Sequence, residues 1–120
     1  MSKSAQSLFV FGIYLFTIGI IFIIIPNVFL RLFFFPETNE VWLRVVGMLL
    51  LILGFYDCMA AKTEMKQFFQ WSVYARASVL PFFIIFVALG FAPPMLIVFG
   101  VIDGAAALWT HLALRSEKQV

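Results

Sequence analysis

Charge is scarce in this 120-residue chain: 12% of its residues carry it, against 64% that are apolar. Soluble domains carry about twice that share of charge, so the chain is excluded from that class. Histidine and cysteine are nearly absent, at one each. The lone Cys58 allows no intrachain disulfide and no cysteine-based metal cluster, and reads as a small buried packing group. The lone His111 rules out a multi-histidine metal site within one chain. No nucleophile has a base at helical spacing, because Thr110 and His111 are adjacent and cannot face each other on a helix. A glycine-rich phosphate loop, a pair of haem ligands and a basic nucleic-acid surface are also missing. These gaps point to a non-enzymatic protein with no metal, no cofactor and no nucleic-acid partner.

What fills the chain instead is long apolar runs, with a mean hydropathy of +1.08. Crossing a hydrocarbon core about 30 Å thick takes about 20 helical residues, so four crossings use most of the length. The runs lack the strict alternation of a barrel strand, and every backbone group of a span must be satisfied within it, which favours helices. The expected fold is all-α: an integral membrane four-helix bundle forming a single domain over 1–120. Its helices are expected at about 8–25, 41–61, 71–91 and 95–114. A segment at about 27–35, containing Arg31 among bulky apolar residues, is too short to span and is expected in the interface, as an anchor or as a lid over a cavity.

Lys3, Lys62, Lys66, Arg115 and Lys118 fall on one side of this arrangement, and Arg31 and Arg44 on the other. The excess of positive charge places both termini in the cytoplasm. The N-terminal apolar run is too long for a signal peptide and no small-residue cleavage site follows it, so it is expected to remain as the first helix. In the inner loop, Lys62 and Lys66 stand beside Phe68, Phe69 and Trp71, a mixture suited to anionic headgroups.

Small residues recur every seven positions in the first two spans: Gly12, Gly19 and Pro26, then Gly47, Gly54 and Ala61. Each series lies on nearly one face and admits a close neighbour. Gly100 and Gly104 form a GxxxG pair in the last span, and Pro81 bends the third.

Five polar residues inside the spans are the candidate site: Arg44, Asp57, Arg76, Asp103 and His111. Counting along the helices puts Asp57 and Arg76 about 7 Å above the inner boundary, with His111 at about 6 Å. On the outer side Arg44 lies about 6 Å and Asp103 about 13 Å inside, a gap that an extended arginine spans. The depths therefore pair Asp57 with Arg76 and Asp103 with Arg44. Such charges are costly in hydrocarbon and face the bundle interior. They either fix the register of the helices or line a polar pocket for a ligand headgroup or a proton.

Gly19 and Pro26, the run RVVGMLLLILG from Arg44 to Gly54, Ala60 and Ala61, Arg76 early in the third helix and Asp103 in the fourth together carry a family likeness. On these residues the chain resembles the small four-helix bacterial membrane proteins that include the DoxX-like proteins. The resemblance implies a multi-pass protein of the bacterial inner membrane. Some DoxX-like proteins are described as membrane partners of oxidoreductases near the quinone pool, but no family active-site residue maps onto this chain. The expected function is that of a membrane partner subunit or a binder of a lipid-like, apolar ligand, with sixteen Phe residues to supply apolar surface. Its expected partners are membrane lipids and another membrane protein or a second copy of itself. The alternative is a small proton-coupled transporter, working as an oligomer with Asp103 as its titrating group. A membrane enzyme would need a water-accessible cluster of Asp57, Arg76 and His111.

Overall fold

Ser2 starts the first helix: its hydroxyl accepts the Ala5 N–H at 3.2 Å, meeting one of the donors that a helix start leaves free. The computed structural model describes residues 1–118, and in them α1 runs over Lys3–Ile24. Pro26 ends it, pushing Ile25 out of the helical conformation and occupying the first turn of a short α2 (Pro26–Leu32). Phe34, with a φ of 62°, turns the chain away from α2. Three long helices follow: α3 (Trp42–Lys62), α4 (Lys66–Ala88) and α5 (Met95–Lys118). No strand is present among the described residues.

Four of the five helices, 21 to 24 residues long, are long and apolar enough to cross a membrane. At about 1.5 Å per residue they reach about 32 to 36 Å. They also run past the apolar stretches at one end of the bundle, where α1 begins at Lys3, α4 at Lys66, and α5 continues to Lys118. Apolar content marks where hydrocarbon is met, whereas backbone hydrogen bonding continues into the polar flanks. α4 runs unbroken past Pro81, which has no N–H to offer the Ala77 carbonyl.

Glycine decides which helices meet. The Gly12, Gly19 series of α1 faces the Gly47, Gly54 series of α3: a Cβ added at Gly19 would stand 2.7 Å from the Gly47 carbonyl oxygen, and one at Gly54 2.8 Å from that of Gly12. The two backbones therefore touch along a long seam, with the Cys58 sulfur packed over Gly12. Gly100 brings α5 against Leu80 and Phe83 of α4 in the same way, while Gly104 has no atom nearer than 4.0 Å. α1 also packs on α5, so the helices run α3, α1, α5, α4 across the bundle, and α3 and α4 barely touch. The body is flattened, 49 × 29 × 19 Å.

The tightest core sits at the end where the start of α1, the α3–α4 turn and the end of α5 converge, around Leu8, Ala61, Phe69 and Leu114. A polar clasp closes this end. Lys66 Nζ donates to Glu117 at 2.5 Å, Ser2 at 2.8 Å and Ser4 at 3.0 Å, using all three of its hydrogens. Glu117 also accepts the Ser4 N–H at 2.9 Å and hydroxyl at 2.7 Å. Glu64, in the left-handed region with a φ of 55°, accepts the Ser2 N–H at 2.6 Å and hydroxyl at 2.9 Å.

Candidate functional site

Since glycine draws α3 onto α1 and α4 onto α5, the bulky residues between α3 and α4 are left facing a groove of about 620 Å³. Leu50 and Leu53 form one wall, Val79, Phe82 and Phe86 the other, and Phe11 and Leu15 of α1 the floor. Asp57 from α3, Arg76 from α4 and Asp103 from α5 also line it, three charged side chains on an otherwise apolar surface. Leu15, Leu50, Phe83 and Asp103 are shared with a second cavity of about 330 Å³, so the two spaces have a common wall.

α2 covers one end of that second cavity, the end away from the clasp. Its Phe29 and Leu30 are buried and line the cavity, and Phe29 meets Phe22 of α1 edge-on at 4.9 Å and Phe99 of α5 at a tilt at 5.5 Å. Phe33 meets the same Phe99 edge-on at 5.2 Å. α2 thus packs over this cavity through aromatic contacts.

Arg76 is the centre of the groove, only 5% exposed. Its Nε donates to the Ser72 carbonyl at 3.3 Å and its Nη2 to the Thr110 hydroxyl at 2.9 Å, and its guanidinium lies 4.8 Å from the centre of the Phe11 ring. Thr110 Oγ1 is 2.7 Å from Ser7 Oγ, and Ser7 donates to the Ser4 carbonyl at 2.6 Å. Ser7 has one hydrogen and spends it on Ser4, so Thr110 donates to Ser7 while accepting from Arg76. A directed chain of bonds thus leads from Arg76 on α4 through Thr110 on α5 to α1. Arg76 Nη1 is buried and has no hydrogen-bond partner among the described residues.

Asp57 is buried and Asp103 half-buried, on α3 and α5 respectively. Neither forms an ion pair within 4.0 Å of Arg76 among the described residues, although all three line one groove. The depth count pairs Asp57 with Arg76 and Asp103 with Arg44, and the structure closes neither pair: Asp57 and Arg76 share the groove without an ion pair, and Arg44 lies elsewhere. Arg44 is exposed and donates to the Ile23 carbonyl at the end of α1. That carbonyl would serve Asn27 in an unbroken helix, and the Pro26 break leaves it for Arg44. His111 is half-buried one residue beyond Thr110 and takes no part in the chain of bonds.

Sequence reasoning missed Ser7 and the donor role of Thr110. The available signal is Ser4 and Ser7 three residues apart on one face of α1, small hydroxyls in an apolar helix with no capping role. No family model, curated protein or solved structure matches the chain.

Proposed function

We propose that this protein is a non-enzymatic, multi-pass protein of the bacterial inner membrane that binds a lipid-like amphiphile in the groove between α3 and α4. The single observation that carries the reading is Arg76, a buried arginine with an unpartnered Nη1 in the wall of an apolar groove. A charged donor in such a place needs an acceptor. The cavity beneath α2 continues the apolar surface away from it. The likeness to DoxX-like proteins agrees with a membrane partner subunit, and a second membrane protein or a second copy would meet the bound amphiphile along the same opening.

The excess of lysine and arginine at the clasp end supports cytoplasmic termini. A C-terminal reporter that fluoresces only in the cytoplasm is expected to be bright, and a dark fusion would reverse the orientation. For the ligand, native mass spectrometry on protein extracted mildly with its own lipids is expected to show a reproducible bound small molecule. Only bulk phospholipid, unchanged when Ala75→Phe narrows the groove, would remove the reading.

One observation favours a second reading, a proton-coupled transporter working as an oligomer. Asp57 and Asp103 flank Arg76 without pairing, an arrangement suited to exchange of a proton or a charged partner. That reading requires Asp103→Asn to abolish pH-dependent flux in vesicles while leaving the fold intact.

A further inference from the structure

We infer that the cavity beneath α2 is a binding site of its own, for a compact apolar molecule that carries one protonated amine and pairs it with Asp103. The inference goes beyond the groove between α3 and α4, because this cavity has its own walls and its own polar groups.

Size and lining set the body of the ligand. The cavity measures about 330 Å³, at the small end of the range of about 300 to 1,000 Å³ for small-molecule sites. A two-chain lipid exceeds it, which leaves a compact body. Phe22, Phe29, Phe35, Phe83 and Phe99 all line the space, so a ring finds aromatic surface from four of the five helices. Tyr14 and Asp103 are the only polar residues in the lining. Neither makes a hydrogen bond among the described residues, where the one unpartnered side-chain atom closed off from solvent is Arg76 Nη1. The Asp103 oxygens and the Tyr14 hydroxyl are therefore open to an incoming donor.

Charge sets the head. An open carboxylate in an apolar wall calls for a cation. The cations of the spanning helices are engaged elsewhere: Arg44 turns to the Ile23 carbonyl, and Ser72 and Thr110 hold Arg76 in place. Thr110 stands two turns of α5 from Asp103, about 10 Å along the axis. Asp57 and Asp103 also outnumber Arg76 in the adjoining groove, so one negative charge is left when both are ionised. A protonated amine offsets that charge and donates to the carboxylate, with the Tyr14 hydroxyl as the other acceptor of the cavity. Aromatic walls favour a cation further. A carboxylate head would bring a like charge, and a neutral head would leave the charge of Asp103 in place.

The test uses the full chain in phosphatidylcholine nanodiscs and three fluorine-labelled probes of one frame: para-trifluoromethyl phenethylamine, the matching phenethyl alcohol and the matching phenylacetate. Each is titrated by fluorine NMR against empty nanodiscs. The amine is expected to give a saturable bound signal and to bind about tenfold or more tightly than the alcohol or the carboxylate, the scale of one hydrogen bond to a charged group. Asp103→Asn is expected to erase that preference while the alcohol still binds, and a preference that survives it would overturn the pairing. Ile18→Phe, which fills the cavity from α1, is expected to weaken amine and alcohol together and serves if Asp103→Asn does not fold. Ala75→Phe narrows the groove instead and is expected to leave the amine unaffected; loss of binding there would place the amine in the groove and overturn the cavity as its seat. Equal or tighter binding of the alcohol or the carboxylate would overturn the amine and leave the cavity as a site. No saturable signal from any of the three probes would overturn the site itself, with the groove still to be judged by its own ligand.

Discussion

Thr110 accepts from Arg76 and donates to Ser7, so its hydroxyl serves two partners while the side chain is wholly buried. Thr110→Val keeps the shape and strands a charged donor. It is expected to destabilise the protein by about 1.5 to 3 kcal/mol, whereas Thr110→Ser restores most of the loss and Ser7→Ala costs about 1 kcal/mol. Thermal unfolding in micelles measures all three. Glu64 at the clasp obeys different rules, since it is exposed. Donation by the Ser2 N–H, then by its hydroxyl, with Lys66 nearby, holds the Glu64 carboxyl below its usual range. A carboxyl depressed in the folded state stabilises fully above its ordinary value of about 4.3, and that contribution fades as the pH falls through the lower, folded value. Amide protection at residues 3–7, taken relative to the intrinsic exchange rate at each pH, is therefore expected to fall as the pH drops below about 4, and Glu64→Gln is expected to flatten this response.

At the scale of the helices, the α1–α3 seam is the strictest constraint, because what a new side chain meets there is backbone. Gly19→Leu or Gly47→Leu is expected to lower stability by about 1 to 3 kcal/mol or more, or to prevent assembly, read as loss of the monodisperse folded species. Gly104→Ala, with nothing closer than 4.0 Å, is expected to be neutral or to gain up to about 1 kcal/mol from helix propensity. The two glycine series were legible in the sequence as faces that admit a neighbour, because a seven-residue period is a property of one helix. That each is the other's neighbour was not legible, since partner choice depends on how the helices arrange around one another. The GxxxG motif gives the same lesson from the other side: Gly100 makes a close contact and Gly104 does not.

For the whole molecule, counting residues along a helix gives depth but not rotation about the axis. Depth brought Asp57, Arg76 and His111 to one layer, and the structure sets Asp57 and Arg76 on one groove with His111 outside the bond chain. It also matched Asp103 with Arg44 across a gap that rotation rules out, since Arg44 turns to Ile23 while Asp103 lines the groove with Arg76. The groove itself had no sequence signature, because it is the space left when two glycine contacts pull α3 and α4 toward different partners. Two carboxyls lining one groove with a single guanidinium should be interchangeable in part. Asp57→Asn and Asp103→Asn are each expected to be tolerated, while the double variant loses more than the sum by about 0.5 to 3 kcal/mol, a coupling that unfolding of the four combinations measures. Strictly additive losses would show that the carboxyls act independently.

The clasp that joins Ser4, Lys66 and Glu117 also sets an order in time. Ser4 and Glu117 are 113 residues apart in the chain, and Lys66, roughly midway, holds both. A ribosome delivers Ser4 first and Glu117 only after every spanning helix has been made. The first helix therefore enters the bilayer with its polar start unfastened, and contacts of such long separation form late. Until Glu117 arrives, α1 can settle along α3 through the glycine seam and the bonds that Glu64 and Lys66 make to its start, and the last turn of α5 fastens the assembled bundle.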